Sequence, residues 1–169
     1  MDVGGKTKIV GIFGNPIEHT LSPGMHNAAF NTLGLDMLYI PFRVLPEDLP
    51  DAVRAVRSLN LLGVNITVPH KENVIPLLDD VDKEAEFIGA VNTVVNYDKK
   101  LKGYNTDGRG FMRSLLEEGI SAEGKDIVII GAGGASRAIS YYLSEKSSRL
   151  FLYDLDRPKA EKLASDLRK

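Results

Sequence analysis

The chain has 169 residues, 43% of them hydrophobic and 26% charged, the balance of a folded globular protein with room for one domain or a little more. Its formal net charge of −2 supplies no field that would draw nucleic acid or an anionic membrane. Cysteine is absent, which excludes disulfide frameworks, thiolate metal sites and cysteine nucleophiles together. The N-terminus lacks the apolar core of a signal peptide and no later run is long enough to span a bilayer, so the expected location is the cytoplasm, with no membrane partner.

In chain order, residues 8–14 (KIVGIFG) read as a buried strand closed by glycine. Ser22 followed by Pro23 reads as an N-cap and N1 pair. Met25, Ala28, Ala29 and Leu33 then recur at helical spacing, and Gly34 is the stop. Residues 37–44 predict a second strand, with Pro41 at an edge or bulge. Leu49, Ala52, Val53 and Val56 form one face of an amphipathic helix. Residues 62–69 alternate, Val64, Ile66 and Val68 facing one way and Asn65 and Thr67 the other, until Pro69 ends the run. Lys71 is expected near the start of a short helix. Residues 90–105 predict two antiparallel strands around Asp98-Lys99. A helix over about 108–118 carries Phe111, Leu115 and Leu116 and stops at Gly119. After a polar stretch (119–126), residues 127–145 read as strand, glycine turn and helix, residues 149–154 as another strand, and a last helix from about Asp156 presents Ala160, Leu163, Ala164 and Leu167 on one face. Alternating strands and helices define an α/β protein.

The glycine turn GAGGASRA follows an apolar strand and opens a helix, the context a dinucleotide fingerprint requires. Gly131 allows the tight turn, and Gly133 lets the backbone approach a pyrophosphate at the helix N-terminus. The third fingerprint position holds Ser136, small but neither Gly nor Ala. Asp154 closes the next strand, where a carboxylate accepts from a ribose 2′-hydroxyl and repels a 2′-phosphate. The plainer reading of Asp154 is capping or solvation, with Asp156 the better-placed cap.

Polar residues cluster at strand ends in the first half: Thr20 and Ser22, Asn65 and Thr67 with Lys71, then Asn92, then Asn105 and Asp107. That distribution suits a small polyhydroxylated ligand outside the carboxyl ends of strands. Lys71 and Asp107 are the titratable pair, a proton shuttle and a positioning carboxylate. Each also has a structural reading: a solvated lysine, an N-cap aspartate, an asparagine serving its own strand. His19, His26 and His70 lack zinc-like spacing, so no metal site is expected.

Five motifs in order, GNPIEHTLSPGMHN, GVNITVPHKE, GAVNTVV, GYNTDGRGF and GAGGASRA, make the chain resemble the shikimate dehydrogenase family over nearly its whole length. The resemblance implies an N-terminal substrate-binding α/β domain with a mainly parallel sheet (1–106), a connecting helix and linker (107–122) and an incomplete Rossmann-type dinucleotide-binding domain (123–169). It implies reversible hydride transfer between a nicotinamide cofactor and 3-dehydroshikimate or shikimate, a step toward chorismate and the aromatic amino acids. Thr20 and Ser22 would hold the substrate carboxylate. Thr67, Lys71, Asn92 and Asp107 would be the hydroxyl-binding and catalytic set, with Lys71 the acid/base and Asp107 its partner. Gly131, Ala132, Gly133, Gly134, Ala135, Asp154 and Arg157 would bind the cofactor.

Two departures from the family stand out. The Asn-Arg-Thr motif that clamps the 2′-phosphate of NADP is replaced by Asp154 and Leu155 within DLDRPK. This favours NAD over NADP, as in the NAD-dependent quinate/shikimate branch, with Arg157 and Lys159 still near enough to approach a phosphate. The family's later cofactor strands and C-terminal helices have no counterpart, so the chain is expected to be a truncated piece, with an exposed sheet edge. A substrate-binding fragment without activity is the alternative. A homodimer is the expected assembly, and no nucleic-acid partner is expected.

Overall fold

The computed structural model describes residues 3–168. The chain divides into two compact units, one formed by residues up to Lys83 with Val91–Tyr104, the other by Glu84–Ala90 with the chain from Asn105 onward.

The first unit is a six-stranded sheet, β2 (Met37–Arg43), β1 (Lys8–Gly14), β3 (Gly63–Ile66), β5 (Thr93–Tyr97), β6 (Lys100–Tyr104), β4 (Asp80–Val81) in spatial order. The β1 strand pairs in parallel with β2 and β3, and β4 with β6. The β3–β5 and β5–β6 pairs are antiparallel. The β5–β6 hairpin turns at Asp98 and Lys99, both at positive φ, as a two-residue turn that follows strand twist requires.

Register sets the faces. Tyr39, Val10, Gly63 and Val95 lie in one row across four strands, and Pro41, Ile12, Asn65 and Thr93 in the next row on the same face. The helix α1 (Ser22–Thr32) lies by this face: His26 stacks on Tyr39 with centroids 4.3 Å apart and planes 9° apart. Asn27 binds the Tyr39 backbone twice, accepting from its N–H at 2.8 Å and donating to its carbonyl at 3.0 Å. An asparagine side chain thus occupies part of the open edge of β2, where Pro41 also sits, as expected for an edge strand. Leu49, Val53 and Val56 of α2 (Leu49–Ser58) are buried, as their spacing predicts.

The second unit contains α3 (Lys83–Ile88), α4 (Asp107–Glu117), β7 (Asp126–Ile130), α5 (Gly134–Ser144), β8 (Arg149–Tyr153) and α6 (Arg157–Asp166). The β7 and β8 strands pair in parallel around α5. Ala132, Ala160 and Leu163 form a small core with Leu152 and Leu167. Ile88, Ala90 and Ala138 form another with Tyr141. The opposite face of the two strands, with Val128, Ile130, Phe151 and Tyr153, is exposed.

Several local expectations are corrected. Leu21, not Ser22, holds the N-cap position of α1, and no side chain caps that helix. No residue of α1 is buried, and Met25 and Leu33 are exposed, so the apolar spacing does not mark a core face. The β3 strand ends at Ile66, and Val68 is exposed in the turn that follows. Lys71 begins a turn, not a helix. Thr106 precedes α4 as its N-cap residue, making Asp107 its first residue. Leu116 faces solvent. Gly34 and Gly119 do end their helices with positive φ.

Candidate functional site

In the first unit, Thr20, Ser22 and Thr67 line one cleft of about 290 Å³ with Ile12, Pro16, Ile17 and His19. The cleft opens at the carboxyl ends of β1 and β3, where α/β sheets collect ligands. Two backbone bonds tie those ends together: Thr67 N–H donates to Phe13 O at 2.9 Å, and Asn15 N–H to Val68 O at 3.0 Å. The approach is close enough that a Cβ on Gly14 would stand 2.5 Å from the Thr67 methyl, so a side chain there would displace Thr67. The peptide bonds Asn15–Pro16 and Val68–Pro69 are cis.

The cap expected of Ser22 does not form. Thr20 Oγ1 accepts from the Ser22 backbone N–H at 3.3 Å. The Ser22 hydroxyl makes no capping bond.

Lys71 and Asn92 are joined through their neighbours. The Lys71 carbonyl accepts from Val91 N–H at 2.8 Å, Asn92 N–H donates to Tyr104 O at 3.0 Å, and Asn92 O accepts from Ile66 N–H at 2.8 Å. Beside Lys71, the fully buried His70 ring bonds Val44 O through Nε2 at 2.8 Å. This fixes the start of the lysine turn to the chain after β2. Asn92 is buried, and its Oδ1 accepts from the Thr93 hydroxyl at 2.9 Å.

In the second unit, Asp107 opens α4 with its N–H donating to Asn105 Oδ1 at 3.0 Å. Asn105 is buried, and its Nδ2 donates to Ala90 O at 2.9 Å. Asn105 therefore sets where α4 starts. The sequence flags it as polar but gives no sign of this role.

The glycine turn has the expected form. Gly131 sits at φ 106°, a conformation open to glycine, and its N–H donates to Tyr153 O at 2.7 Å. A Cβ on Gly133 would meet nothing within 4 Å. Its glycine therefore leaves space where a diphosphate can approach the first turn of α5, and the turn fits a dinucleotide cofactor. Gly134 and Ala135 form that first turn. Asp154 grips the loop from below: Oδ2 accepts from Ala132 N–H at 2.7 Å and Oδ1 from Asp156 N–H at 2.8 Å. The Asp156 and Ala132 amides hold the Asp154 carboxyl below the ordinary carboxylate range. Asp156 occupies the N-cap position of α6, yet its side chain makes no capping bond. Arg157 pairs with Glu161 at 2.7 Å along α6, and Leu155 is 93% exposed.

Among the described residues, no group of three or more His, Asp or Glu side chains is arranged to hold a metal, and no helix is long and apolar enough to cross a membrane.

The model of the shikimate dehydrogenase substrate binding domain matches residues 12–94. These residues are therefore similar to that substrate-binding domain. Proteins named shikimate dehydrogenase (NADP(+)) from Desulforamulus reducens and Methanobrevibacter smithii are 50% and 51% identical to the chain, each over 98% of its length. The chain spans 57% and 58% of those two relatives. Shikimate 5-dehydrogenase from Listeria monocytogenes, solved in complex with shikimate and NAD, superposes with a TM-score of 0.91 at 40% identity, over 99% of this chain and 60% of its own. The five-motif resemblance and the α/β architecture are thus both upheld.

Proposed function

We propose that the protein acts as a shikimate dehydrogenase, reducing 3-dehydroshikimate reversibly to shikimate with a nicotinamide cofactor. The observation that carries this reading is the cleft that gathers Thr20, Ser22 and Thr67 at two strand ends, within a segment similar to the shikimate dehydrogenase substrate binding domain. Hydroxyl donors there suit a carboxylate and ring hydroxyls. The assignment of 1–106 to substrate and 123–169 to cofactor belongs to the same proposal, as do a cytoplasmic location and a homodimer.

In this reading, Ser22 and Thr20 hold the substrate carboxylate. Thr67 and Asn92 orient the ring hydroxyls. Lys71 Nζ gives a proton to the carbonyl oxygen as it becomes an alcohol and takes it back in reverse. The Asp107 carboxylate accepts from a neighbouring substrate hydroxyl and fixes the ring. When bound, the cofactor supplies or removes the hydride at the carbinol carbon. Gly131 to Ala135 receive its diphosphate on the N-terminus of α5.

Cofactor choice divides the observations. The two bacterial and archaeal relatives are named for NADP(+). Here Asp154 presents a carboxylate at the strand end, with Leu155 beside it and Arg157 turned along its own helix toward Glu161. Each Asp154 oxygen already accepts one amide and keeps a lone pair for a ribose hydroxyl. A 2′-phosphate would meet a negative charge. We therefore read NAD as the preferred cofactor.

The test follows nicotinamide absorbance with shikimate and with quinate, each with NAD and NADP, alongside calorimetric binding of shikimate. Turnover with shikimate that Lys71→Ala abolishes is the expected result. Activity surviving in Lys71→Ala removes the lysine from the mechanism. Strict preference for NADP sinks the NAD reading. Faster turnover of quinate than shikimate moves the protein to the quinate/shikimate branch. Binding without turnover makes this chain a substrate-binding module.

A further inference from the structure

Two carbonyls at the end of α3 reach out to other elements of the second unit. The amides there close the helix on itself: Gly89 N–H donates to Ala85 O at 2.9 Å and Ala90 N–H to the same oxygen at 3.3 Å. The carbonyls are taken by side chains from elsewhere. Arg137 of α5 donates from Nε to Ile88 O, and Asn105 donates from Nδ2 to Ala90 O at 2.9 Å. A helix end leaves such carbonyls without a partner in the helix, and here each one attaches another element.

Both attachments lead to residues of the proposed function. The Arg137 N–H donates to Gly133 O at 2.9 Å, in the first turn of α5, the seat assigned to the diphosphate. Asn105 Oδ1 accepts from Asp107 N–H at 3.0 Å. The glycine turn, residues 88–90 and Asp107 therefore form one connected run inside the second unit. Arg137 is anchored on its far side as well. Its Nη2 meets Asp166 Oδ2 of α6 at 3.1 Å, with 16% of the arginine and 23% of the aspartate side chain exposed, so solvent and salt screen the pair less than a surface pair. The planar guanidinium fixes the angle between its two bonds. It also covers Gly89, which lies at φ 71° and whose Cβ would stand 3.5 Å from it. Packing of Ile88, Ala90 and Ala138 sets how near α5 comes, but apolar contact has no direction. The arginine bond sets which way the Ile88 carbonyl faces, just before a glycine whose backbone is soft.

We propose that Arg137 is a positioning residue for Asp107: by holding the carbonyl end of α3 on α5, it fixes where Asn105 starts α4, and with it the place of Asp107 relative to the diphosphate turn. This deepens the proposed function and rests on the reading of Asp107 as a substrate ligand. Substrate and cofactor are then aligned by an arginine whose own side chain is engaged with Ile88 and Asp166.

The test follows the Asp107 backbone amide and the Asn105 side-chain amide by nuclear magnetic resonance in the full chain, with shikimate titration as a second measurement. Arg137→Met keeps the aliphatic stem and removes both donors. The Asp107 and Asn105 signals should move, and shikimate should bind about fivefold more weakly, the scale of one lost hydrogen bond. Asn105→Ser cuts the run at one link. A serine hydroxyl two residues before Asp107 still accepts its N–H, as Thr20 does for Ser22, but is too short for Ala90 O. In that background Arg137→Met should move the Asp107 signal little further, whereas a merely structural arginine would keep its full effect. If Arg137→Met does not fold, Arg137→Lys carries the test: its ammonium pairs with Asp166 and has no second nitrogen for Ile88 O, so the same signals should move. An unmoved Asp107 signal in the variant that folds overturns the proposal. So does an undiminished effect in the Asn105→Ser background, or moved signals with unchanged shikimate affinity. If the unaltered chain binds no shikimate, the functional reading fails, while the amide signals still decide whether Arg137 places Asp107.

Discussion

Asp154 shows how one side chain can hold a loop at two points. Its two oxygens accept amides from the glycine turn and from the start of α6, and these bonds favour the ionised form, lowering its pKa. A carboxylate depressed in the folded state adds stability above its unfolded value, and this is lost as pH falls through the folded value. The amide resonances of Ala132 and Asp156 should therefore titrate together, with a midpoint below the ordinary carboxylate range. A midpoint at or above that range contradicts the geometry. Asp154→Asn leaves one acceptor oxygen, so one of the two amides should exchange faster with solvent. At this scale the sequence identifies which residue types matter but not which atom each one serves. Ser22 and Asp156 look like helix caps because their identities suit the position. Neither makes a capping bond; their own backbone N–H groups are instead bound by the side chains two residues upstream, Thr20 and Asp154.

At the scale of the element, α4 and α5 meet where neither has a side chain to spare. A Cβ on Gly108 would stand 2.4 Å from Ala138 O and 2.6 Å from the Tyr142 ring. Nearby, Tyr142 and Arg109 both bond Glu84 of α3, and Arg109 also donates to Tyr142 at 2.8 Å. Burial, then the Glu84 bond, pushes the Tyr142 hydroxyl up to about 12. Gly108→Ala should lower the stability of this unit by about 1–3 kcal/mol, the cost of overpacking against a backbone atom. Denaturant unfolding followed by a probe in α5 measures it, and an unchanged midpoint refutes the contact. The strands, the hairpin at Asp98-Lys99 and α2 are legible from period and turn chemistry. The α1 helix is not: its apolar residues follow a helical period, but the sheet receives the helix through His26, Asn27 and Phe30. Periodicity states that a face exists, and only packing states which face is used.

For the molecule as a whole, ligand binding should register as stability. Shikimate that binds the folded cleft and not the unfolded chain stabilises by about 2.7 kcal/mol at one hundred times its Kd. Thermal unfolding with and without shikimate measures this. Ser22→Ala should lose most of the gain while melting like the unaltered chain without ligand, because Ser22 caps nothing. Identical melting with and without shikimate counts against the proposed substrate.

The order of strands and helices, the glycine turn, the polar strand ends and the family resemblance they carry are present in the sequence itself, because period, turn residues and motif spacing are local properties of the chain. Tertiary structure decided which hydroxyls share a cleft, that Asn105 fixes the start of the Asp107 helix, and that Arg137 reaches back to Ile88. Those facts depend on which elements lie side by side. Ile12 and Thr67 meet in the cleft only because β1 and β3 pair in their register, and a slip of one residue would turn one of them away.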